Sequence, residues 1–294
     1  KYVSLTGTVL AQQTTRPKLP WTFIVLDTDG VNAFAAPGGY VHITRGALGL
    51  IKTEAELAGV LGHEIAHVAQ KHTVNAIRKS KGVQIGASAT LSDRGAFLDQ
   101  LANRAYGMVL ENSFDRGDEL DADKEGIILV QKAGYTGQGS SDFLARLAER
   151  NKNQAEKNGL FASHPETQER IAKVKQLAGA KPGAVVAARY TTTIKYQPTD
   201  IARIAVIVEG SAGLAGGGKA KPEPKKEEEA KRKGFGLGNL TKSVTSEKPS
   251  EQVAASGGAR GLGSDRLAKG GDNPNLVKTS ISAGDLAAFR KGIA

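Results

Sequence analysis

Cysteine is absent from the 294 residues of the chain. Disulfide scaffolds, thiol nucleophiles and thiolate-bound metal are thereby excluded. The redox compartment stays open, since a cysteine-free chain suits either setting. Long apolar runs are also missing: none approaches the ~20 residues that a membrane-spanning helix needs. Internal repeats are absent. The first residue is Lys1 rather than Met, which suits an exported chain whose signal has been removed, although trimming would look the same.

Glycine is plentiful, at 36 residues, and crowds toward the C-terminal end. The formal net charge is +10, and residues 219–294 carry most of the excess, with 15 Lys+Arg against 9 Asp+Glu. Such a basic tail can touch an envelope polymer or membrane surface, or remain a solvated flexible end. A nucleic-acid partner is not expected. The length fits about two domains at roughly 150 residues each. Apolar residues make up 39%, enough for a core, though a diluted one.

The most informative stretch is Thr53–His72, TEAELAGVLGHEIAHVAQKH. Thr53 with Glu56 makes a capping-box start. Apolar residues from Ala55 to Val68 occupy nearly every side except that of His63 and His67, so the helix is predicted to be buried. Two unpaired histidines and a glutamate there would be costly without a partner. His63 and His67 are four apart, one turn above the other, and can offer two imidazole nitrogens to one metal ion. Glu64 sits about 100° round the helix, in reach of a water on that metal. Hydrolytic zinc requires neutral nitrogen ligands, an open position and a base beside it. A chance H-E-x-x-H on an ordinary helix is the plainer alternative.

Upstream, residues 1–15 read as a short helix. Residues 21–27, 31–36 and Tyr40–Thr44 read as strands, with Thr28-Asp29-Gly30 and Pro37-Gly38-Gly39 as turns. The pattern is a small antiparallel sheet beside the H-E-x-x-H helix. Tyr40, Val41, His42 and Ile43 are expected on an edge strand, where an extended peptide can add by main-chain hydrogen bonds. A merely structural strand is the alternative, and His42 is expected to be half-exposed. Residues 45–52 and 73–81 read as helices. Residues 82–110 either cover the site mouth or pack. His72 is one position short of the third-histidine spacing of some zinc peptidases. It is rejected as a ligand and placed at a helix end, near the C-terminal dipole.

Phe114–Ala133 (FDRGDELDADKEGIILVQKA) reads as a helix stopped by Gly134. Glu119 and Asp123 share one of its faces. Glu119 can supply an oxygen ligand, and Asp123 can take the N–H of a zinc-bound histidine and fix its tautomer. Asp115, Asp118, Asp121 and Glu125 keep a solvated acidic face open as the other reading. Further on, residues 138–151 and 165–177 read as helices, while 190–196 and 201–209 are β-rich. A charged Pro-bearing linker, residues 219–233, precedes a Gly/Ser/Lys-rich tract and a short helix over 282–291.

Four stretches carry a family resemblance: Asn32–Ala47 (NAFAAPGGYVHITRGA), Glu54–His67 (EAELAGVLGHEIAH), Glu119–Gly126 (ELDADKEG) and Ser163–Ile171 (SHPETQERI). Together they span most of residues 1–178. The chain resembles the gluzincin peptidases of the HtpX / Oma-type / CAAX-prenyl-protease family, in particular their soluble periplasmic BepA-like branch. The resemblance implies one Zn2+ per chain, held by His63, His67 and Glu119, with Glu64 as general base and then general acid. It makes Asp123 the outer partner of a zinc histidine. His164 would close the open zinc position at rest or help stabilise the oxyanion, and Arg170 matches the arginine that follows it. From the residues alone, His164 is only a helix-start histidine before Pro165. No tetratricopeptide-like segment, which some relatives carry, is visible.

The expected fold is α+β, a zincin (gluzincin) fold, mostly helical with a small antiparallel sheet. The expected divisions are a catalytic domain over 1–180, a small β-rich appendage over 181–212, a flexible linker over 213–280 and a short C-terminal helix over 281–294. The expected function is a zinc-dependent endopeptidase acting on unfolded or misassembled envelope polypeptides in the periplasm. A zinc-retaining chaperone or adaptor is the alternative.

Overall fold

The computed structural model describes residues 1–79, 114–151, 164, 168–198, 277 and 279–293. Val277 apart, these belong to one compact unit, residues 1–199 with 278–294. The expectations for residues 82–110, 201–209 and the charged linker lie outside the described residues.

The unit is built round the buried helix that the sequence singled out. Helix α1 is Tyr2–Ala11, strands β1 to β3 are Thr22–Leu26, Ala33–Ala36 and Tyr40–Thr44, α2 is Arg45–Leu50 and α3 is Glu54–Ala69. Thr53 caps α3, its hydroxyl accepting from the Glu56 amide at 3.1 Å. Leu57, Ala58, Leu61, Ile65 and Ala66 are wholly buried, because α3 is packed by α1, the sheet and two later helices. A short helix α4, His72–Lys79, follows. Then come α5, Arg116–Lys132, and α6, Gln138–Asn151. Helix α5 lies unusually close to α3. A Cβ added at Gly126 would stand 2.9 Å from the His63 backbone nitrogen, so only glycine lets the two backbones meet there.

The sheet is mixed, which corrects the antiparallel expectation. Its order is β1-β3-β2. Strand β3 runs parallel to β1, from Thr22↔Tyr40 to Leu26↔Thr44, and antiparallel to β2, from Ala33↔Ile43 to Ala36↔Tyr40. The β2–β3 hairpin inserts its second strand beside β1. Alternation in a sequence marks a strand but not its neighbour. Consequently β3 is central, with both edges already paired. Tyr40, Val41, His42 and Ile43 are therefore not an edge to which a substrate strand can add.

His42 is also not half-exposed. It is fully buried and stacks on Phe34 with ring centroids 4.4 Å apart. Burial lowers its pKa to about 4, against a partly compensating backbone hydrogen bond with Phe34.

Residues 190–196 are not β-rich. Helix α7 is Gln168–Ala178, and α8 is Ala187–Thr193. Tyr190 is buried in the main core and donates to the Leu48 carbonyl at 2.6 Å. Burial of this one ring outweighs the strand preference of Thr191, Thr192 and Thr193. Arg189 reaches the buried Glu54 carboxylate at the start of α3, with Nε 2.8 Å away. Helix α9, Ala283–Lys291, opens on a Ser282/Asp285 capping box and packs on α1, with the Tyr2 and Phe289 rings edge to face. No helix among the described residues is long and apolar enough to cross a membrane.

Candidate metal centre

Helices α3 and α5 carry most of the site. On α3 the one-turn spacing brings His63 Nε2 and His67 Nε2 to 3.0 Å. On α5, Asp115 caps the start, its carboxylate accepting from the Asp118 amide. Glu119 in that first turn and Asp123 one turn on both point inward and are buried. The solvated-face reading therefore fails for these two, whereas the Asp121 side chain stays 45% exposed.

Hydrogen-bond partners fix where the protons sit. A carboxylate only accepts, so the Asp123 oxygen 2.9 Å from His63 Nδ1 requires a proton on that nitrogen. In the neutral ring that a metal requires, this leaves the lone pair on His63 Nε2, which lies 3.0 Å from His67 Nε2 and 3.5 Å from Glu119 Oε2. Glu119 Oε1 lies 3.4 Å from His67 Nε2 and 2.7 Å from His164 Nδ1. His164 Nδ1 is also 3.2 Å from His63 Nε2. Among the described residues, His63, His67, Glu119 and His164 are thus a group whose donor atoms all lie within 4.8 Å of one another. Donors about 2.05 Å from a tetrahedral ion stand ~3.3 Å apart, close to the separations seen. Such a crowd of lone pairs fits a divalent cation and would repel itself without one.

The charges respond accordingly. Burial pulls His63 down, but the carboxylates of Asp123 and Glu119 outweigh it and lift the imidazole to about 10. Burial, helped by the neighbouring His63 and His164, pulls His67 well below the usual range against the opposing pull of Glu119. Burial would raise Glu119, yet His164 with His63 and His67 holds it far below an ordinary carboxylate. Asp123 falls to about 2, burial being overcome by Arg170 and His63. Burial raises the Glu64 carboxyl. Glu64 Oε2 is buried and has no hydrogen-bond partner among the described residues. Glu64 Oε1 is 3.7 Å from His164 Nε2.

Arg170 on α7 ties the carboxylates together. Its Nε and Nη2 donate to Asp123 at 2.7 and 2.8 Å, its Nη1 lies 2.8 Å from Glu119 Oε2, and Nη1 also reaches the His164 carbonyl. Beside Glu64 opens a crevice walled by Val60, Phe143, Leu144 and Leu147. Every sequence-predicted member of the metal cluster is brought together here, while Tyr40, Val41, His42 and Ile43 belong to the sheet.

Two contacts of His67 escaped the sequence reading. Phe114 stacks on His67, ring centroids 4.2 Å apart. His72 is not at the C-terminal end of α3, which corrects that placement. Lys71 adopts φ +63, which breaks the helix, and His72 begins α4. Its Nδ1 is 2.9 Å from His67 Nδ1. A helical projection through residue 72 would not have found this, because the break at Lys71 redirects the chain.

The model of Peptidase family M48 matches residues 1–178. The beta-barrel assembly-enhancing protease of Yersinia pestis is 28% identical over 190 residues, covering 60% of this chain and 38% of that protein. The mitochondrial metalloendopeptidase OMA1 of Schizosaccharomyces pombe is 29% identical over 161 residues, 54% of this chain and 47% of that one. Metalloprotease YcaL of Escherichia coli is 28% identical over 160 residues, 53% and 61% of the two chains. The chain spans about two fifths of the length of the beta-barrel assembly-enhancing proteases that it matches.

Proposed function

Because the chain belongs to peptidase family M48, we propose that it is a zinc-dependent endopeptidase of zincin (gluzincin) fold that hydrolyses peptide bonds of unfolded or misassembled envelope proteins. The observation that carries this is the buried convergence of His63 Nε2, His67 Nε2 and the Glu119 carboxylate, with separations that suit a tetrahedral ion. Two imidazoles and one carboxylate are a donor set that zinc favours. When bound, zinc would supply Lewis acidity, polarising a scissile carbonyl and lowering the pKa of a water toward ~7.

The chain's own residues do the rest. Glu64, whose Oε2 is unsatisfied and whose pKa is raised by burial, takes the proton of the attacking water and returns it to the leaving amine nitrogen. Asp123 holds His63 by its Nδ1–H. Arg170 faces carboxylates, which favours a positioning role over direct contact with the oxyanion. His164 closes the donor set at rest and has to leave it before substrate enters. An envelope or periplasmic setting is supported by the relatives named for beta-barrel assembly.

A second reading, a zinc-retaining adaptor that seldom cleaves, is favoured by His164 Nδ1 lying only 2.7 Å from Glu119. One digest separates them. The parent chain and Glu64→Gln are incubated with unfolded casein, with and without chelator, beside a zinc analysis of each protein. The peptidase reading expects chelator-sensitive fragments from the parent and none from a zinc-loaded Glu64→Gln. Cleavage by that variant at the parent rate removes Glu64 as base, and zinc without fragments in the parent supports the adaptor.

A further inference from the structure

We propose that His72 is a positioning residue for the metal centre, holding His67 in the one tautomer that leaves Nε2 bare, with Asp121 anchoring the outer end. This rests on the reading of His67 as a metal ligand.

The relay of hydrogen bonds starts at the surface. His72 Nε2 is 3.2 Å from Asp121 Oδ2, with Asp118 Oδ1 further off at 3.8 Å. Those carboxylates accept and cannot donate, so the proton of a neutral His72 sits on Nε2. Its Nδ1 is then a lone pair, and it faces His67 Nδ1 at 2.9 Å. The contact is a hydrogen bond only if His67 carries its proton on Nδ1. His67 Nε2 is left bare, directed at His63 and Glu119. One exposed carboxylate thus decides the state of a buried nitrogen two rings away. Reversing the His67 tautomer alone would set two lone pairs against each other across this contact, and reversing His72 would leave Asp121 facing a lone pair.

The surroundings give the arrangement little freedom. His67 is fully buried and His72 is 4% exposed. Their rings meet edge to face, at 80° and 4.9 Å. Phe114 stacks on His67, so the imidazole cannot turn to find another acceptor. The two helix histidines are therefore held by different means: His63 by Asp123 directly, His67 through a second ring. A partner of this kind normally orients the ligand and raises its basicity toward the metal.

The test is zinc affinity of the full-length chain, read by competition with a chromophoric chelator at one fixed pH. His72→Phe keeps a ring but removes the acceptor, and it is expected to weaken zinc binding about 10- to 100-fold. His72→Asn returns an oxygen near the position of Nδ1 and is expected to recover most of that loss. Asp121→Ala, a surface change that leaves the core intact, is expected to weaken binding in the same direction by less. Nitrogen-15 imidazole spectra should show His67 protonated at Nδ1 in the parent and in His72→Asn. Parent-like affinity in both folded His72→Phe and Asp121→Ala overturns the proposal, as does equal loss in His72→Phe and His72→Asn. A parent chain that binds no zinc, or a His67→Ala variant that binds it undiminished, overturns the metal-ligand reading beneath it instead.

Discussion

Asp123 lies between two buried cations' worth of donors, Arg170 on one side and the His63 Nδ1–H on the other. Asp123→Ala would strand the guanidinium without its paired acceptor, which for buried pairs costs about 3–5 kcal/mol. A fall of several degrees or more in the thermal midpoint is expected, together with weaker zinc retention on dialysis. An unchanged melt would mean that Glu119 alone satisfies Arg170. His42 offers a pH test away from the metal centre. It titrates near 6.5 when unfolded and near 4 when folded. Between those values the unfolded chain binds more protons. The contribution of His42 is thus fully present above pH 6.5 and is lost as pH falls toward 4, by about 3 kcal/mol. His42→Phe is expected to lose less of its melting temperature than the parent between pH 7 and 4.5; equal losses would discard this assignment. His63 with His67, and Glu119 with Asp123, were legible because a helix converts a spacing of four into a shared face. His42 and His72 were not, since their surroundings come from Phe34 on another strand and from the break at Lys71.

Helices α3 and α5 meet at a point where side chains are excluded. Gly126→Ala would drive a methyl into the His63 backbone, and the backbones must separate to admit it. Overpacking of this kind costs about 1–3 kcal/mol. Because Glu119 and Asp123 ride on α5, the same shift should loosen the metal centre. A lowered thermal midpoint and reduced zinc affinity are expected together, and a drop in stability with full affinity would show that the two helices are not coupled there. Helix α3 was readable from its Thr53 cap and its apolar residues, and the end of α5 from the Gly134 stop. The sheet order was not, because the β1–β3 pairing is a parallel contact between strands 18 residues apart in register. Helix α8 was misread for a different reason: a run of threonines favours a strand locally, and only the seat of Tyr190 against Leu48 reverses it.

At the scale of the molecule, distant parts of the chain converge on the start of α3. Tyr2, Tyr135 and Arg189 all bond the Glu54 carboxylate, while Arg189 also takes the Phe289 carbonyl. Removing residues 279–294 is expected to lower the melting temperature and to loosen α1 and α8 in hydrogen exchange; exchange unchanged outside the deleted helix would show that α9 only decorates the surface. Metal binding should stabilise the whole unit, by about 4 kcal/mol at a thousand times the dissociation constant, so chelation should depress the parent melt far more than that of His63→Ala. The position of β3 also dictates a history. Strand β1 has no described neighbour but β3, and β3 comes into being with the tight bend at Gly38 and Gly39, whose φ values of +97 and +99 suit glycine. The β2–β3 hairpin closes a shorter loop than the β1–β3 pairing, so it is expected to form before β1 docks. Gly38→Ala should retard refolding, whereas Phe23→Ala in β1 should chiefly hasten unfolding.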